Sequence, residues 1–218
     1  MKYYIVVVLS IFFLVGCNKS KTTVEEVEMA DLVYDAYIAI DESEVTKVEY
    51  RQEEHGFVYS VSLKEVQQDS EHIIIGKVLS IDGGSNYDYA NKRYVFPYTY
   101  GIIKVIEPLK GSFEVDQRIP YAKDGAIITM EEYIKGSMSN YKKELNETFD
   151  PQKNYVQEYL PNDNKIEVGE TYLIYFNNNK IDQYYSIVSG KEGMMKYQDG
   201  RVYDDVTNTW KKIEEVVK

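Results

Sequence analysis

The chain has 218 residues, 36 acidic against 25 basic side chains, a net charge of −11 and a hydrophobic fraction of 44%. That balance belongs to a chain that builds a globular core, and it argues against wholesale disorder. One cysteine and two histidines exclude an intrachain disulfide framework and any zinc site made from several such ligands, and the absence of a basic patch removes nucleic acid as an expected partner.

The first segment is Met1-Lys2 followed by an apolar run from Tyr3 to Val15, broken by Ser10 and closed by Leu14-Val15-Gly16-Cys17. The run is shorter than the roughly 20 residues a membrane-spanning helix needs, and a positive start with a small residue at the end has signal-peptide grammar. It resembles the lipobox of bacterial lipoproteins. That resemblance implies that residues 1–16 are removed and that the Cys17 sulfur carries diacylglycerol, so the expected location is the extracytoplasmic face of a cell membrane. As the sole cysteine, Cys17 has no disulfide partner within the chain, and two acyl chains suffice for stable anchoring.

Residues 17–30 read as a lipidated tether. Residues 31–61 form an acidic N-terminal segment: positions 25–54 hold eleven acids against Lys47 and Arg51, most of the net charge, which would repel an anionic surface. Within it, Leu32, Val33, Ala36, Tyr37 and Ile40 recur at helical spacing, and Thr46, Val48 and Tyr50 alternate with charged residues as in a half-exposed strand.

The main domain is expected over residues 62–218. Ser62 with Glu65 three residues on is the sequence form of a capping box and predicts a helix of about eight residues. The run from His72 to Ile81 predicts a strand buried first on both faces and then on one, with Gly76 marking a bulge. A turn is expected at Asp82-Gly83-Gly84. Tyr87, Tyr89, Tyr94, Tyr98 and Tyr100 follow, and Pro97 directs this stretch to a sheet edge or to a loop leading into one. Further strands are expected at 101–106, 118–121, 171–176 (mid-sheet) and 184–188, with two short helices, Met130 to Ile134 and Tyr141 to Leu145, in the polar stretch 129–165. Asp199-Gly200 between two strand-like runs predicts a type I′ hairpin. The C-terminus reads as a helix from about residue 208, with Trp210, Ile213, Val216 and Val217 on one packing face.

These elements predict a mainly β chain: a small, curled, antiparallel, OB-like barrel with a few short helices. The segments Ile73-Ile74-Ile75-Gly76-Lys77-Val78, Ile103-Lys104-Val105-Ile106-Glu107-Pro108-Leu109-Lys110-Gly111 and Val168-Gly169-Glu170-Thr171-Tyr172-Leu173-Ile174-Tyr175-Phe176 resemble segments of Gram-positive surface lipoproteins whose barrel is similar to netrin and tissue-inhibitor-of-metalloproteinases domains. The inhibitor chemistry does not carry over, because it needs a free N-terminal cysteine within a disulfide-held segment. Cys17 would be lipidated.

No phosphate loop, zinc-protease motif, nucleophile elbow or EF-hand spacing is present, so no catalytic residue, metal ligand or cofactor is assigned. The reading is a membrane-anchored binding module for a protein, glycan or small ligand. Its candidate contacts are Tyr87, Tyr89, Tyr94, Tyr98 and Tyr100, since tyrosines offer large contact area at low entropic cost, although the same residues also suit a half-buried strand. The alternative is a hydrolase of cell-wall or extracellular polymer using carboxylates between 129 and 165, such as Glu131, Glu132, Glu144 and Glu147. Their spacing reads better as helix-surface charge. Asp82, Ser85, Asn86 and Asp88 have oxygens for Ca²⁺, but a solvated polar turn is the better reading of them. His72 is expected to pack or cap at a helix-to-strand junction, and His55 to face solvent.

Overall fold

A computed structural model of the chain describes residues 40, 42–49, 62–137, 139–160, 163–205 and 207–217. The signal, Cys17, the tether, most of the helix expected over 31–40 and His55 lie outside these residues.

The fold is mainly β. The strands are β1 (Val45–Glu49), β2 (His72–Asp88), β3 (Arg93–Lys110), β4 (Arg118–Asp124), β5 (Ala126–Thr129), β6 (Tyr155–Tyr159), β7 (Thr171–Ile181), β8 (Tyr184–Ile187), β9 (Met194–Gln198), β10 (Arg201–Asp204) and β11 (Thr209–Lys212). The helices are α1 (Leu63–Asp69), α2 (Met130–Gly136), α3 (Ser139–Thr148) and α4 (Ile213–Val216). Eight strands make one sheet in the order β11-β10-β9-β7-β2-β3-β4-β8, and β8 also pairs with β7. The cycle β2-β3-β4-β8-β7 therefore closes on itself in the manner of a five-stranded OB-type barrel. It is curled more than sealed, because the β4–β8 seam has two residue pairs and β9, β10 and β11 extend the sheet beyond the ring. A second sheet, β1-β6-β5, leans against it.

The apolar run at the start of β2 explains why this strand is central. Ile74 and Val78 point into the ring with Ile103, Ile119, Tyr121, Tyr172, Ile174 and Phe176, while Ile73 and Ile75 point outward onto Leu173, Tyr175, Val202 and Val216. Both faces are dry, and each fully buried aliphatic side chain contributes about 1.5–3 kcal/mol. Val66 of α1 joins the outer layer. Its helix starts as the sequence predicts: Glu65 N–H donates to Ser62 Oγ at 3.4 Å, and Ser62 N–H donates to Glu65 Oε2 at 2.8 Å, a cap whose loss typically costs about 1 kcal/mol. At Gly76 the β2–β3 register shifts, as expected of a bulge.

The structure differs from the sequence reading at several places. Asp82-Gly83-Gly84 is no turn: β2 runs on to Asp88, and the glycines are absorbed as register shifts because β3 continues to pair alongside. β3 lies between β2 and β4, but its pairing with β4 begins only at Thr99, so the part of the tyrosine stretch from Arg93 to Pro97 pairs with β2 alone and forms a local edge, as Pro97 leads one to expect; Tyr94 and Tyr98 pair with Tyr87 and Ser85. The sheet is not wholly antiparallel, for β4–β8 and β1–β6 are parallel. Thr209–Lys212 is strand β11 rather than helix, and Trp210 is 42% exposed, its ring lying 5.3 Å from that of Tyr203. The expected helices in the polar stretch are present as α2 and α3, and Asp199 and Gly200 take φ of 49° and 77° between β9 and β10, as a type I′ turn requires.

Candidate functional site

The far end of the β2–β3 hairpin gathers aromatic rings on a fastened turn. Asp88 and Arg93 are opposite one another, and Lys92 takes a φ of 51° to close the loop. The enclosed Asp88 carboxylate accepts from Asn91 Nδ2 at 2.7 Å and from Asn91 N–H at 3.1 Å, and Arg93 Nε lies at 3.6 Å. The Asn91 side chain, first among these, holds the carboxyl below the usual range. Two further ties come from elsewhere in the fold. Ala90 N–H donates to Asp182 Oδ1 in the β7–β8 turn, and Asn86 Nδ2 donates to the Glu132 carbonyl of α2 at 3.0 Å.

On this base the five candidate tyrosines separate into two groups. The Tyr87 ring lies 5.0 Å edge-on from both Tyr89 and Tyr94, and the latter two are 71% and 45% exposed. Tyr98 is 1% exposed and its hydroxyl donates to the Tyr87 carbonyl, so it is a core residue with a pKa pushed up to about 12, chiefly by burial. Tyr100 is half-buried, with its ring 5.1 Å from Tyr184, and burial raises its pKa too. An accessible surface thus exists for Tyr89 and Tyr94 with Tyr87 behind them. Tyr98 supports it from beneath.

A second feature has no counterpart among the expectations from sequence. At the mouth of the curled sheet, between the ring and the β1-β6-β5 sheet, lies a cleft of about 680 Å³ lined by Ile81, Thr99, Lys123, Asp124, Asp163 and Ile166 among others. Lys123 is hydrogen-bonded to Asp163, both side chains more than nine-tenths buried. Ser189 Oγ donates to Asp124, whose carboxyl is raised by burial above the usual carboxylate range. Asn164 Nδ2 donates to the Lys191 and Met194 carbonyls, which pins the loop carrying Asp163. The available sequence signal was a charged pair inserted between apolar Ile119 to Ala122 and Ala126 to Ile128.

The acids considered for hydrolysis do not converge. Glu131 pairs with Lys135, Glu132 closes the α2 cap with Thr129, and Glu147 pairs with Lys143, all on helix surfaces. Glu158 has a carboxyl pushed up to about 7 by burial, and it raises Tyr133 and Tyr141 of the helices further. His72 packs flat on Phe113 with ring centroids 4.0 Å apart, accepts from Ser112 N–H, and is held below its ordinary pKa by burial. Asp82, Ser85, Asn86 and Asp88 lie along β2 rather than around a loop. Among the described residues no cluster of three metal-ligating side chains is present, and no helix is long and apolar enough to cross a membrane. Comparison with protein-family models, curated proteins and solved structures finds no match to this chain.

Proposed function

We propose that the protein is an extracytoplasmic lipoprotein, held on a bacterial cell membrane by lipid at Cys17, that binds a protein or glycan through the tyrosine-bearing end of its β2–β3 hairpin. The observation that carries this reading is the exposed pair Tyr89 and Tyr94, backed by half-buried Tyr87, on a turn fastened at Asp88, Asn86 and Ala90. Exposed aromatic rings on a fixed backbone bind at low entropic cost, because little has to be ordered when the partner arrives. In OB-type barrels the first hairpin loop and the loop between the fourth and fifth strands flank the ligand face. Here the corresponding turns are the ones that Ala90 and Asp182 join. The short apolar N-terminal run ending in Gly16-Cys17 supports the anchor.

Two measurements test the two halves separately. Mass spectrometry of the protein made in a Gram-positive host should give a mature chain starting at a diacylglyceryl Cys17, and Cys17→Ala should leave the membrane fraction. Glycan-array and surface-protein binding should fall about tenfold or more in Tyr89→Ala/Tyr94→Ala, the loss of two hot-spot rings. Full-strength binding by that variant would place the contact surface elsewhere.

A further inference from the structure

The cleft at the mouth of the ring has a chemical character opposite to that of the chain as a whole. One wall is a face of the β1-β6-β5 sheet. Strand alternation and the paired registers Lys47↔Gln157 and Ile127↔Gln157 bring Val45, Lys47, Ile127, Gln157 and Tyr159 to the same side, where they border the cavity. The other wall is apolar Ile81 and Ile166 with Lys123, Asp124 and Asp163, and Lys165 stands at the rim. Glu158 also borders the cavity through its strand, but its carboxyl acts on Tyr133 and Tyr141, on the helix side with Val156.

Charge can be assigned group by group. Lys123 and Asp163 neutralise one another. Asp124 is buried in a way that favours its protonated form, and it takes a hydrogen bond from Ser189 through Oδ2. Among the described lining residues, what remains is the positive charge of Lys47 and Lys165, both exposed at the edge of the cleft. Deeper in, Lys123 has one acceptor among the described residues, Asp163, so an ammonium group with three donors has capacity to spare.

We propose that this cleft binds a small amphipathic carboxylate, its apolar body between Ile81, Ile127 and Ile166 and its head group at Lys123 and Asp124, drawn in by Lys47 and Lys165. The volume lies within the range of small-ligand sites, and the mouth of a β-barrel is a common place for one. A singly charged head fits better than a phosphate dianion, because Asp163 sits beside Lys123 and repels additional negative charge. Burial raises the Asp124 carboxyl above the usual carboxylate range, which lessens its repulsion of an anion.

The test is calorimetric titration of the folded full chain with decanoate, decanol and decyl phosphate. Decanoate is expected to bind saturably at one site, with decanol and decyl phosphate each about tenfold weaker or more. Charge reversal at the exposed rim, Lys47→Glu with Lys165→Glu, is expected to weaken decanoate about tenfold while leaving decanol unchanged. Amide shifts on binding should centre on residues 123–127 and 163–166. The proposal is overturned if decanoate does not saturate, if decanol matches it, if decyl phosphate binds more tightly, or if the charge reversal has no effect. The tyrosine surface plays no part in this assay, so its outcome is independent of the reading above.

Discussion

Ala90 N–H donates to Asp182 Oδ1 at 2.6 Å, joining two turns that are 92 residues apart in the chain. The acceptor is charged and the donor lies at the tip of the long β2–β3 hairpin, so one bond restrains a lever many residues long. Asp182→Ala should raise amide exchange at Ala90 and its neighbours while lowering global stability by only about 1 kcal/mol. Unchanged exchange across 88–93 would show that Asp88 and Asn91 hold the turn unaided.

Tyr98 and Tyr89 should respond oppositely to truncation. Tyr98→Ala opens a cavity beneath the aromatic end and should cost about 3 kcal/mol or more in urea denaturation. Tyr89→Ala removes an exposed ring and should stay within about 0.5 kcal/mol of the parent chain. A large loss from Tyr89→Ala would make that ring a packing residue.

Gly76→Ala probes the bulge. A Cβ there would lie 2.6 Å from Ile103 Cγ2 and 2.9 Å from Ile74 Cδ1. The Ile103 methyl is attached at the branch point of a fully buried side chain and moves only with its strand, whereas Ile74 Cδ1 is a side-chain end that can turn, so the first contact sets the cost. A loss of about 1–3 kcal/mol is expected, the usual range for overpacking. A neutral result in thermal melts would show that the ring mouth opens to accommodate the methyl group.

Glu158 gives the protein a dependence on pH. Its folded pKa, about 7, lies above the ordinary value of 4.5, so the native state holds this proton more tightly than the unfolded chain does. Stability should therefore fall as pH rises from about 4.5 to about 7, and level off above, by an amount on the order of 1–3 kcal/mol. The groups facing it, Tyr133 and Tyr141, remain protonated throughout that window because burial raises both. In Glu158→Gln the part of the slope due to this residue should vanish, so equal slopes for the two proteins would assign the effect elsewhere.

What could be read from the sequence was what is decided locally. Ser62 with Glu65, the apolar run at 73–75 and Asp199-Gly200 each specify their own geometry within a few residues, and each formed as expected. Asp82-Gly83-Gly84 carries equally strong turn chemistry and yet remains in a strand, because pairing of Gly83 with Tyr100 and of Gly84 with Thr99 across the hairpin outweighs local preference. The C-terminal stretch shows the same thing: the spacing of Trp210, Ile213 and Val217 suits a helix, but Arg201 to Asp204 offer a free edge and Thr209–Lys212 pair with it. The cleft was invisible for a related reason. Lys123 and Asp163 are forty residues apart, and nothing in either neighbourhood signals that they meet.

The ring closes through Tyr121↔Tyr185 and Ala122↔Ser186, and it does so with the last of its five strands. During synthesis from the N-terminus, β2, β3 and β4 emerge long before β8 is available to seal them. Until then β4 and β7 both present open hydrogen-bonding edges, and β1 waits for β6, more than a hundred residues downstream. Nascent chains of this topology fold late and are exposed to pairing with one another in the interval. A product ending before Tyr184 would keep both edges permanently, which makes it a chain built to aggregate rather than a smaller version of the same domain.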